Sequence, residues 1–219
     1  AQLGANDPKR ALLAAQDQGR ADSGLQLAAG EPKAALATAT AAIERVEKVE
    51  VPASDLIGVT WRVSILDGNL GTAASASIQL GHYAKAEAFA RRWLKVQTNP
   101  ISMDDPRAVT SFATAVLAHA IAMQGRNDEA QKTLLPALAY YEGEQKAGAV
   151  GTSFRHEYAY ALYVNAIAAP TDAAGRKQRH VDLDQASRLI AGASADAQKL
   201  VDMRYVNGLI AAARAAPHA

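Results

Sequence analysis

Apolar residues recur along this chain at every third or fourth position, in stretches separated by short clusters of Gly, Pro, Asp and Asn, and no stretch alternates with period two. That pattern predicts helices throughout and no strands. The first helix follows "NDPKRALLAAQDQG", with Asp7 as cap, Pro8 in the first turn and Leu12, Leu13, Leu25 and Leu27 as apolar positions. Gly30 interrupts it, and Glu31-Pro32 restarts a helix through "KAALATATAAIERVEKV". After Pro52, Ser54 and Asp55 open a long pattern that carries Ile57, Trp61, Ile65 and Leu66 toward Leu80. Gly58, Gly68 and Gly71 lie inside it and leave one bent helix or two short ones open.

Beyond Gly81 comes "YAKAEAFARRWLKV", then a turn-rich loop, "QTNPISMDDP", and a helix start at Asp105-Pro106 that runs through Phe112, Val116, Leu117 and Ile121 to Gln124. Gly125 ends it and Asn127 opens the next, inside which Pro136 is expected to kink the backbone. "GEQKAGAVG" reads as a loop, "SFRHEYAYALYVNAIA" as an aromatic-rich helix and "APTDAAGRKQRH" as a second polar connection. The helices "VDLDQASRLIAG" and "SADAQKLVDMRYVNGLIAAARAA" close the chain, making about nine in all.

Two stretches repeat one phrase: "QLGHYAKAEAFARRWL" from Gln79 and "MQGRNDEAQKTLLPAL" from Met123. Aligned on their glycines, and with a third copy at Gly30, each has a helix before the Gly, a helix after it and an Ala five residues on: Ala35, Ala86 and Ala130. A turn between antiparallel helices needs a residue free to take positive φ, and a close helix crossing needs a side chain no larger than Ala. The phrase resembles the tetratricopeptide repeat, which has a Gly turn, a small residue early in the second helix and alanines where the helices pack.

The best copy, residues 111–140, matches in Leu117, Ala118, Gly125, Ala130, Leu134 and Ala137. The second matches in Ala74, Gly81, Tyr83, Ala86 and Ala90, and the first in Gly30, Ala35, Ala39 and Ala42. Phe154 to Gly192 makes a degenerate fourth unit. The glycine step is 51 residues from Gly30 to Gly81 and 44 from Gly81 to Gly125, against about 34 for the family, so the helices or loops must be longer than in the standard unit. The resemblance implies an all-α, tetratricopeptide-like α-solenoid of antiparallel helix pairs over residues 1–219 as a single domain, with residues 194–215 as a C-terminal capping helix. A helical bundle that is not a solenoid is the alternative.

Composition narrows the function classes. Lys and Arg number 23 against 22 Asp and Glu, a formal net charge of +1, so no field draws in nucleic acid or an anionic membrane, and neither is an expected partner. No apolar run reaches the length of a membrane span. There is no Cys, hence no disulfide, thiolate nucleophile or Cys-bound zinc. The chain opens "AQLGAND" without Met, and removal of a signal peptide or of a longer protein's N-terminal part is expected. The first implies an exported, periplasmic protein and the second a cytoplasmic one.

Catalytic leads are weak. His156 beside Glu157 in "RHEYAY" suggests a zinc-protease helix, but the position four residues on is Tyr160, so no His pair shares a face and no metal is expected. In "HVDLD", His180, Asp182 and Asp184 sit at a predicted helix start, where acidic residues complement the helix dipole. His119 reads as packed between helices, His82 follows a turn Gly, and His218 is in the tail. Arg176, Lys177 and Arg179 form a basic cluster in a predicted solvated loop, without aromatics to stack a base. With no nucleophile elbow, phosphate loop or dinucleotide fingerprint, neither enzyme activity nor a cofactor is expected.

In the resembled family the first helix of each pair lines a concave groove. The resemblance therefore implies Arg62, Asn69, Phe112, His119, Arg155, Tyr158 and Asn165 as ligand contacts, and a protein or peptide as the partner. The family's carboxylate clamp is not assembled by these residues. For the tyrosines, packing between layers with the hydroxyls at the rim competes with direct contact. The expected function is a non-catalytic protein- or peptide-binding scaffold. The alternative is a regulatory or sensory module of a larger signalling protein, such as a kinase or transcription regulator, and self-association stays open in both.

Overall fold

A computed structural model describes residues 8–98 and 105–216. The expected Asp7 cap, the loop over 99–104 and His218 lie outside the described residues. All regular structure among those described is helical: α1 (Pro8–Ala15), a π-helical segment (Gln16–Ala21), α2 (Asp22–Ala28), α3 (Pro32–Glu47), α4 (Leu56–Gln79), α5 (Tyr83–Gln97), α6 (Pro106–Ala122), α7 (Asn127–Lys146), α8 (Thr152–Ala168), α9 (Ala173–Ala191), a 3₁₀ turn (Ala197–Lys199) and α10 (Val201–Ala215). The chain, expected as one domain, divides into two compact units, Ala1–Pro106 and Arg107–Ala219.

The repeated phrase builds one joint three times. Gly30, Gly81 and Gly125 all have positive φ, at 80°, 72° and 79°. At each, the residue after the Gly donates its N–H back across the helix end: Glu31 to Gln26 O at 2.9 Å, His82 to Ser77 O at 2.8 Å and Arg126 to Ile121 O at 3.3 Å. This is the Schellman closure, which satisfies carbonyls left over by the ending helix and needs a left-handed residue to do it. The same three residues accept the first bond of the next helix, from Ala35, Ala86 and Ala130 at 2.9 to 3.0 Å. All three alanines are fully buried. Gly148, with φ 90°, ends α7 by the same closure, with Ala149 N–H donating to Glu144 O. There the chain runs on to an extended Gly151 before α8 begins.

In the first unit, α2 packs on α3, α3 on α4 and α4 on α5. The extra residue of the π-helical turn changes which side of the first helix faces inward. Leu12, Ala15, Gly19 and Ser23 are buried, whereas Leu25, expected to point inward, is 69% exposed. A Cβ on Gly19 would lie 2.4 Å from Ala42 Cβ, so the bare backbone of this turn lets it close on α3. Helix α4 is one helix of 24 residues rather than two. Its glycines serve packing and capping: Gly58 N–H donates to the Asp55 cap at 3.1 Å, and a Cβ on Gly71 would meet the Trp93 ring at 2.9 Å. Trp93 Nε1–H donates to Asp67 Oδ1 at 2.7 Å, joining α5 to α4. Ile57, expected inside, is exposed on the first turn of α4.

In the second unit, α7 packs on α8, α8 on α9, and α10 on both α8 and α9. Helix α8 is the centre, buried without a break from Tyr158 through Val164. Helix α7 continues through Pro136 as one element. Two boundaries differ from the sequence pattern. The expected connection "APTDAAGRKQRH" lies mostly inside α9, because Asp172 Oδ1 accepts from Gly175 N–H at 2.7 Å and caps a start eight residues before Val181. Only Gly fits there, since a Cβ on Gly175 would stand 2.1 Å from Pro170 O. The last expected helix is broken by a 3₁₀ turn tied to Ser194 Oγ and by extended Leu200, so α10 begins at Val201.

Candidate functional site

The described residues of the first unit line a cleft of about 420 Å³ between the end of α3, α4 as far as Leu70 and the end of α5. Its floor is one stripe of α4, Val59, Val63, Leu66 and Leu70, at the four- and three-residue spacing that aligns side chains on one helix face. Val51 and Val96 add further apolar lining. The rim carries four ionisable side chains: Arg62 from α4, Arg92 and Lys95 from α5, and Glu47 from α3. Arg92 Nη2 pairs with Glu47 Oε1 at 2.6 Å, and its guanidinium lies 5.9 Å from the Phe89 ring centre. Arg62 Nε–H reaches Val46 O at 3.5 Å, the far limit of a hydrogen bond. Lys95 stands in the last turn of α5, where a cation also complements the helix dipole.

The second unit gathers most of the sequence-predicted residues but packs them away. His119 is buried, its Nδ1 2.7 Å from the Tyr160 hydroxyl and its ring edge-on to Tyr160 and Tyr163. Burial without a counter-charge pulls its pKa down to about 4, so the ring is neutral. Phe112 stacks at a tilt on His156 and Tyr160. Tyr158 lies flat on Tyr141, 5.6 Å between centres, is 1% exposed, and accepts from Gln185 Nε2 at 2.9 Å. Burial raises its pKa to about 12. Arg155 donates to Val150 O at 2.9 Å and to Leu189 O at 3.3 Å.

Asn165 Nδ2–H donates to Asp182 Oδ2, and Gln178 Nε2–H to Asp182 Oδ1, both at 2.8 Å. Asp182 therefore belongs to the middle of α9, buried and held by two amides, and does not cap a helix start. Desolvation pushes its carboxyl above the usual range, as it does for Glu157, whose Oε2 accepts from the Tyr141 hydroxyl at 3.1 Å. Arg155, Tyr158 and Asn165 thus have bonding partners on or beside α7 and α9. In the first unit Asn69 is likewise buried, donating to Ile65 O at 2.8 Å. Of the seven expected contacts, Arg62 alone lines the cleft. The cations Arg176, Lys177 and Arg179 ride on α9, where Arg179 donates to Ala213 O at 2.8 Å.

The sequence reading missed Glu47, Arg92, Lys95 and the valines of the floor. The α4 stripe was legible from spacing, but the meeting of Glu47 with Arg92, 45 positions apart, is a product of the α3–α4–α5 packing. Among the described residues no three His, Asp or Glu gather as a metal-ion set, and no helix is long and apolar enough to cross a membrane. Compared with family models, with curated proteins and with solved structures, the chain finds no match in any of the three.

Proposed function

We propose that this chain is a non-catalytic binding module of tetratricopeptide-like type, taking a short apolar segment of a protein or peptide partner into the α3–α4–α5 cleft. The cleft carries this reading: about 420 Å³ of concave space over a Val and Leu floor with a polar rim, the ordinary composition of a preformed ligand site. Among the described residues it brings together aliphatic side chains, three cations and one carboxylate, with no nucleophile beside a base. The solenoid reading draws support from the three joints of identical hydrogen bonding at Gly30, Gly81 and Gly125. A groove over an aliphatic helix face suits a segment that presents side chains every third or fourth residue.

The test is selection of peptides from a random library on the full chain, followed by titration against variants. The half-buried floor residues Val59 and Val63 take Asp, and circular dichroism melts confirm that each variant folds. Binding should disappear in Val63→Asp and in Val59→Asp, and persist in Tyr158→Phe. Peptides that bind the folded double variant Val59→Asp/Val63→Asp as tightly as the wild type would overturn the assignment of the cleft.

A further inference from the structure

Three of the four ionisable side chains at the cleft are cations, in a chain whose overall charge is nearly balanced. We infer that the segment taken into the cleft is acidic as well as aliphatic, and that its carboxylates dock on Arg92 and Lys95 by displacing Glu47. This rests on the reading of the cleft as a binding site and adds the chemistry of the occupant.

The first support is the pairing of the rim. Among the described residues Glu47 is the one carboxylate lining the cleft, and it reaches Arg92. The Lys95 ammonium has no ion pair among the described residues, and Arg62 spends only Nε on a long bond to a carbonyl. Two cations are thus left beside an apolar surface, an arrangement that favours an anion there and disfavours a basic segment.

The second support is that the existing pair is exchangeable. The side chains of Arg92 and Glu47 are 43% and 47% exposed, and an ion pair so exposed contributes little to the fold. An incoming carboxylate can take the place of Glu47 at no loss of burial, while Glu47 turns to water. Glu47 then acts as an internal competitor that holds the guanidinium in place over the cleft until a partner arrives.

The third support fixes the shape of the occupant. The α4 stripe continues one turn beyond the cleft to Leu56, three residues before Val59 and 66% exposed. An occupant that covers Leu56 as well as the floor is longer than a small carboxylic acid. A segment with leucines every third or fourth position and glutamates between them meets both the stripe and the rim.

The experiment titrates the full chain with two labelled peptides, both C-terminally amidated so that only side-chain carboxylates are present. One has the leucine and glutamate pattern just described, and the other has Gln at every Glu. The acidic peptide should bind about tenfold tighter, the worth of two exposed ion pairs. That preference should vanish at about 0.5 M salt, where screening acts within a few ångström, and in Arg92→Gln/Lys95→Gln. Glu47→Gln should tighten the acidic peptide about threefold, the size of one exposed pair, and leave the Gln peptide unchanged, which a merely structural Glu47 would not do.

Equal affinity for the two peptides overturns the acidic occupant while the binding module stands. If neither peptide binds and the library-selected peptides ignore Val59→Asp and Val63→Asp, both readings fail together. Decanoate serves as a further probe. If it binds with the same dependence on Arg92 and Lys95 while the acidic peptide does not bind, the occupant is a free aliphatic acid and the peptide assignment is overturned.

Discussion

The two units use the same helix joint and treat their polar groups in opposite ways. The first keeps charge on the rim of an open aliphatic cleft, and its buried polar residues among those described are the uncharged Ser23, Asn69 and Ser77. The second draws His119 and Asp182 inside, half-buries Glu157, and surrounds them with tyrosines and amides. In the first unit the pH-linked group is the Asp55 cap, whose carboxyl the Lys9 ammonium and the Gly58 N–H hold below its usual range, whereas in the second burial itself ties folding to the protonation of His119, Asp182 and Glu157. The ion pair at the rim of the cleft stays solvated and exchangeable. A core that encloses ionisable groups must pair each of them within itself.

The largest test of that contrast is acid. His119 has its pKa lowered from 6.5 to about 4 in the folded state, so between those values the unfolded chain binds more protons. Stability then rises with pH across the window and is lost as pH falls through it, by about 3 kcal/mol for a group buried this fully. The raised carboxyls of Asp182 and Glu157 act with the opposite sign, losing stability as pH rises toward their folded pKa. The difference in unfolding free energy between wild type and His119→Gln, followed from pH 7 to pH 4.5, isolates the histidine. A difference that stays flat with pH would remove the buried neutral ring from the account.

A second test strikes the first unit where it is tightest. Gly71→Ala forces the Trp93 ring to move from a contact of 2.9 Å, and overpacking of this kind costs about 1 to 3 kcal/mol. Urea unfolding should show the loss. Tryptophan fluorescence should shift as the bond from Trp93 Nε1–H to Asp67 is strained.

The smallest effects probe what the units share. At Gly30 and Gly125 an added Cβ meets nothing within 4 Å, and at Gly81 only the Tyr83 hydroxyl at 4.0 Å, so Ala there costs the left-handed backbone alone. Each substitution should lower stability by about 1 kcal/mol, and by nearly equal amounts. Unequal costs in denaturant melts would break the equivalence of the joints. Tyr158→Phe, which deletes the bond from Gln185 and keeps the stack on Tyr141, should cost about 1 kcal/mol without touching peptide binding.

Much of the fold was legible because its signals are local. Positive φ at Gly30, Gly81 and Gly125 follows from residues that no side chain can replace without strain, and burial of Ala35, Ala86 and Ala130 follows from their place in the next turn. The start of α9 was not legible, because the reason Gly175 sits there is its approach to Pro170 O. The exposure of Leu25 was hidden by a π-helical turn that apolar spacing does not report. Of the residues that line the cleft, Arg62 was among the expected contacts and Glu47, Arg92 and Lys95 were not, because they meet only when α3, α4 and α5 pack.

By itself the amino-acid pattern determined the helices, the hinge glycines between them and the small residues on which each next helix closes, since these depend on backbone freedom and on spacing within a few turns. The tertiary structure alone decided which polar groups would be spent. Tyr158, Asn165 and Asp182 are consumed by partners on α7, α8 and α9, whereas Glu47, Arg92 and Lys95 are gathered from separate helices around an aliphatic floor. Burial and pairing are properties of the packed helices, and a side chain carries no mark of them until its neighbours arrive.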